Sequence, residues 1–169
     1  MNHSEIINSL KKNKPVFQSL LNESDKTIIT WKPSPEKWCL LEIVCHLYDE
    51  EREDFRARVA HTLQTPNDQL PPIDPAGWVS TRKYMEWNFE ETVKKFLDER
   101  EKSIQWLIGL KNPQWKNAYQ HPKFGSMSAE MFLSNWLAHD YMHIRQIVKL
   151  KFDYLKEISG EKLNYAGEW

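Results

Sequence analysis

Glycine is scarce in this chain, at 5 of 169 residues, and cysteine scarcer still, at 2. Sandwiches and barrels need turn glycines in number, so their scarcity turns the reading away from an all-β fold and toward helices. Two cysteines make no disulfide scaffold, and Cys39 and Cys45 share one short helical segment where their separation is awkward for a bridge. An excess of one charge is also lacking: 23 Lys and Arg stand against 24 Asp and Glu, a formal net charge of −1. Apart from Lys11, Lys12 and Lys14 there is no basic cluster, which argues against nucleic acid as the principal partner. No apolar run approaches the ~20 residues that span a bilayer, so no membrane partner is expected. The first residues carry neither a basic start nor an apolar run of signal-peptide length. With so few cysteines, this predicts a cytoplasmic protein.

What is present is an ordinary globular composition, 40% hydrophobic and 28% charged, in a length that suits a single domain over residues 1–169. Four amphipathic segments carry apolar residues at helical spacing. The first covers residues 4–24, with Ile6, Ile7, Leu10, Val16, Phe17, Leu20 and Leu21 in its stripe and Pro15 expected to kink or divide it. The second covers residues 39–62, with Ile43, Val44, Leu47, Phe55 and Val59 inward and Asp49, Glu50, Glu51, Arg52, Glu53 and Arg56 crowding its surface. The third begins at an Asn88 cap and ends near Gly109. The fourth covers residues 128–150, followed by a short turn at 153–159. Two long Pro-bearing connectors, 63–82 and 111–127, read as irregular chain. No segment carries a strong strand signal. The fold expected is all-α, a four-helix bundle with long connectors, whose helix order need not be simple up-down-up-down.

The strongest chemical signal is His139-Asp140-Tyr141-Met142-His143-Ile144-Arg145-Gln146. Residues four apart share a helix face, so two imidazoles can reach one ion. Trp136, His139, His143 and Gln146 fall on nearly one face, flanked by Leu133, Ile147 and Leu150. That places the histidines beside the buried stripe, where unpartnered imidazoles are costly. The alternative is a pair of core histidines bonded to backbone or carboxylates. A zinc-protease helix would need glutamate after the first histidine; Asp140 stands there, and no histidine follows His143. His46, amid apolar residues in the second helix, would complete a three-histidine site with an open position for water or substrate. Three imidazoles suit zinc, nickel, copper or iron alike. His3, His61 and His121 lie at a terminus, a helix end and a loop.

Asp49 or Glu50 could orient a ligating ring from behind, Glu50 being the better placed one turn beyond His46. Their alternative is a solvated charged face, which the run of four acids favours. Gln146 could bond a ligand or close a buried contact. Tyr141 and Arg145 point away from the site. Trp136 reads as core and Cys45 as a small buried residue, with ligation its minor alternative.

The segment from Trp38 to Glu51, with a tryptophan before a helix bearing His-Leu-x-Asp-x-Glu, resembles the first signature of the DinB-like (DinB/YfiT) superfamily. His139-x-x-x-His143-x-x-Gln146 resembles its second, and the resemblance spans nearly the whole chain. It implies a four-helix bundle, a His46, His139, His143 triad holding one divalent ion such as zinc or nickel, and a homodimer. Characterised members include thiol S-transferases and a thiol-dependent isomerase. A small-molecule substrate, with a low-molecular-weight thiol meeting the metal, is therefore the activity the resemblance implies. A metal-dependent hydrolase and a non-catalytic metal-binding stress-response protein are the alternatives. Cys39 departs from the pattern, standing where a serine or threonine cap is usual.

Overall fold

The computed structural model describes residues 2–167. Helix α1 (His3–Leu20) starts in a capping box: the Asn2 side chain accepts from the Glu5 amide at 2.9 Å, and the Glu5 carboxylate accepts from the Asn2 amide at 2.7 Å. Pro15 lies inside α1 without dividing it. It sits on the exposed side, where solvent can take up the carbonyl that loses its partner. The stretch between the first two rods, residues 21–39, holds a short helix, α2 (Lys26–Thr30).

The second rod is continuous but not uniform. It runs as α3 (Leu40–Asp49), a π-helical segment (Glu50–Phe55) and α4 (Arg56–Gln64). Glu42 carries the start of α3, accepting from the Cys39 amide at 3.0 Å, so the cysteine need not act as a cap. The connector after α4 contains α5 (Pro75–Thr81) and a single 3₁₀ turn (Tyr84–Glu86). Helix α6 (Phe89–Gly109) begins where expected, with the Asn88 side chain accepting from the Glu91 amide at 2.9 Å.

Residues 111–127 are not wholly irregular, which corrects the expectation of a strandless chain. They hold an antiparallel hairpin, β1 (Ala118–His121) and β2 (Gly125–Ser128), in register from Ala118 opposite Ser128 to His121 opposite Gly125. The four-residue strands are too short for a periodic signal. Gly125 takes φ 73°, which the tight turn requires. The hairpin also sets the start of α7 (Ala129–Ser159), whose Ser128 cap is its last strand residue. Helix α7 runs through the expected break near Leu150 and stops at Gly160, whose φ is 66°. A 3₁₀ turn (Leu163–Ala166) follows.

The four long rods form a bundle in which α1 packs on α6 and α7, and the α3–α4 rod packs on those same two helices. The first and second rods are therefore diagonal, as are the third and fourth, while the second and third are neighbours; the connectors between the diagonal pairs are what allow that order. The core divides into two apolar clusters. One is built around Phe17, Ile43, Tyr84 and Phe96, the other around Leu10, Val59, Leu133 and Trp136. No helix among the described residues is long and apolar enough to cross a membrane.

Candidate metal centre

The π-helical segment widens the helical turn directly after His46, and three successive acids, Asp49, Glu50 and Glu51, end up buried. This overturns the solvated charged face. Glu51 accepts from Trp136 Nε1 at 3.0 Å and from Arg100 at 2.9 and 3.0 Å. Arg100 grips Asp140 with two bonds of 2.7 Å, and Asp140 also accepts from the Asn13 amide at 3.0 Å. Arg100 is fully buried and lies over the rings of Phe17 and Phe96. The network thus joins all four rods between the two apolar clusters. Asp49 is equally committed: Tyr84 donates to it at 2.8 Å, and Arg52 and Arg82 each reach it at 2.7 Å.

Beside this layer the three histidines meet. His139 Nε2 lies 3.2 Å from His46 Nε2 and 3.0 Å from His143 Nε2. Trp38 covers His46 at a centroid distance of 4.8 Å, and Phe55 covers His139 at 4.9 Å. Burial between these rings disfavours the charged imidazolium and is the leading cause of the low pKa values, about 3 for His46, about 2 for His139 and about 4 for His143. Mutual repulsion adds to it at His46 and His139. At His143 the Gln146 side chain and Asp140 pull the other way, although Gln146 forms no hydrogen bond of ordinary geometry with the ring. All three rings are neutral at pH 7.

This donor set fits a divalent ion. Two nitrogens bound at ~2.0–2.1 Å around a tetrahedral ion stand about 3.3 Å apart, close to the observed spacings. A ring nitrogen is either donor or acceptor, so His139 Nε2 makes one good hydrogen bond, not two. One cation satisfies all three lone pairs at once. Among the described residues, these three alone form a cluster whose candidate ligand atoms lie within 4.8 Å of one another.

The residues expected behind the ligands do not stand there. His46 Nδ1 and His143 Nδ1 are buried without a partner, so neither Asp49 nor Glu50 orients a ring. Glu50 instead faces Asp54. Burial and the neighbouring Asp54 carboxylate push its pKa up to about 9, and its Oε1 has no hydrogen-bond partner. Trp136 and Cys45 are core residues, as read, and Tyr141 is exposed. Arg100 was missed, although it stands four residues from both Phe96 and Ile104, on the apolar stripe of α6. A charge at that register is the signal that could have found it.

A cavity of about 1140 Å³ opens against the triad through His139, lined by both long connectors. Residues 69–73 form one wall and the hairpin residues Tyr119, His121, Phe124 and Met127 another.

Comparison with known proteins agrees with this fold. The family model described as the DinB superfamily matches residues 9–147. No curated protein matches the sequence significantly. Among solved structures, the chain is similar to YfiT from Bacillus subtilis, described as a probable metal-dependent hydrolase with an unusual four-helix bundle topology. The TM-score is 0.77 at 16% identity, over 95% of this chain and 89% of that one.

Proposed function

The chain belongs to the DinB superfamily, and from that premise we propose that it is a metal-dependent enzyme acting on a small molecule. The observation that carries this reading is the open-sided triad: three neutral ring nitrogens converge at ion-binding spacing, and His139 also lines a large cavity. His46, His139 and His143 would hold one divalent ion, zinc or nickel, leaving a coordination position for a further ligand. Such an ion supplies Lewis acidity that makes a thiol or a water nucleophilic at neutral pH. The chain's own part is to keep the imidazoles unprotonated by burial, to exclude water with Trp38 and Phe55, and to align the second and fourth rods through Glu51, Arg100 and Asp140.

Within this reading we place thiol S-transfer first. The cavity beside the triad has room for a small electrophile, and a low-molecular-weight thiol would meet the metal. Hydrolysis is the second reading, favoured by the description of the similar YfiT structure. A homodimer belongs to the same proposal; Leu155 and Ile158, exposed on the last turns of α7, support it, and sedimentation would test it.

Elemental analysis of protein purified without an affinity tag should find about one metal per chain, and His143→Ala should lose it. Metal-loaded protein is then incubated with several thiols and a chloronitrobenzene, and separately with aryl esters. Thiol consumption faster than with metal-stripped protein supports transfer, and ester turnover without thiol supports hydrolysis. Neither rate would leave a metal-binding protein without catalysis.

A further inference from the structure

The floor of the cavity is formed by Phe55, Leu70 and Phe132, all buried. Its rim carries Phe124 and Met142, which remain 66% and 70% exposed although they are large and apolar. Among the described lining residues the full charges are Asp54 and Arg58, and these are paired with each other. His121 turns its Nδ1 back to accept from the amides of Lys123 and Phe124 at 3.0 and 3.2 Å. Pro71 and Pro72 give their stretch of wall no backbone donor. Away from the triad, an ionic group entering here would lose water and find no unpaired opposite charge. An apolar one would cover the two exposed rim side chains.

We propose that the substrate seated in this cavity has an uncharged, largely apolar body of aryl or branched-alkyl type, lying between the hairpin and residues 69–73 with its reactive polar group toward His139. This rests on the metal-dependent reading and names the substrate class of that site. In a transfer reaction the apolar molecule is the electrophile: the thiol sulfur bonds to its carbon as a leaving group such as chloride departs, and the thiol proton passes to solvent.

The test uses cobalt(II)-loaded full-length protein and three hydroxamates that share a metal-binding head: acetohydroxamate, benzohydroxamate and 4-carboxybenzohydroxamate. Calorimetry and the cobalt absorption bands read the binding. Benzohydroxamate should bind at least about tenfold tighter than acetohydroxamate, as several more buried carbons would give. The added carboxylate should abolish that advantage. Phe124→Ser and Met142→Ser, both at exposed positions that spare the fold, should weaken benzohydroxamate several-fold and leave acetohydroxamate unchanged. Equal binding of the two uncharged probes, or tightest binding of the carboxylate, overturns the proposal. If cobalt itself does not bind, the metal reading fails. The apolar claim is then decided by the neutral fluorophore N-phenyl-1-naphthylamine on metal-free protein, whose enhancement must fall in Phe124→Ser.

Discussion

Two polar clusters share helix α7, and they differ in completeness. Around Asp140 the donors and acceptors are matched: Arg100 spends its guanidinium on Asp140 and Glu51, while Trp136 and Asn13 add to those carboxylates. One residue earlier and three later, His139 and His143 belong to a cluster left deficient, with two ring nitrogens and a Glu50 oxygen buried and unpartnered. A saturated network has nothing to offer a ligand and serves to hold helices in register. A deficient one carries a standing cost, and its three converging Nε2 lone pairs, which hydrogen bonds among the rings cannot all satisfy, are what a cation can take up. The contrast separates structure from function on a single helix, and each half of it can be broken.

The largest effect is expected at Arg100. Arg100→Ala leaves two buried carboxylates uncompensated, and a urea melt should show a loss of about 3–5 kcal/mol. A loss under about 1 kcal/mol would mean that the layer does not hold the bundle together.

In the deficient cluster the reverse holds. His143→Leu should abolish metal binding, yet the metal-free variant should match or exceed metal-free wild type in thermal stability at pH 7.5. Because the histidine pKa values are depressed in the folded state, their contribution is present above the unfolded value of about 6.5 and is lost as pH falls toward the folded values. Metal-free wild type should therefore lose stability more steeply than His143→Leu between pH 6.5 and 5, by about 2 kcal/mol. Parallel pH profiles would show that the ring is not buried neutral.

Glu50 acts with the opposite sign. Its folded pKa, about 9, lies above the ordinary value, so its contribution is full at acid pH and disappears as pH rises from about 4.5 through 9. Glu50→Gln should raise the melting temperature by a few degrees at pH 8, at about 2–4 °C per kcal/mol, and change little at pH 4.5. Equal shifts at both pH values would tie the effect to packing rather than to the proton.

The smallest change is Tyr84→Phe. Asp49 keeps Arg52 and Arg82, so about 1 kcal/mol should be lost and metal binding should stay. A loss several times larger would make Tyr84 part of the framework that the network alone is held to supply.

The helices were legible because their signal is local. The stripe of α6 and its Asn88 cap lie within a few residues of one another, as do His139 and His143 on α7. Asp49, Glu50 and Glu51 were misread because an acidic run looks solvated until something folds over it. Here the cover comes from Arg100 and Trp136 for Glu51 and from Tyr84 and Arg82 for Asp49, at 33 or more residues' remove. The π-helical register was hidden too, since apolar spacing through Phe55 and Val59 fits an ordinary helix.

The spacing of two histidines on one helix, and the tryptophan-to-glutamate signature around the third, were determined by the sequence alone, because helical periodicity converts four residues into one face. Tertiary structure decided that the three rings meet at ion-binding distance, that they stay neutral, and that His139 opens onto an apolar cavity. Those properties depend on which distant side chains exclude water from the rings, and burial is settled only when the rods pack.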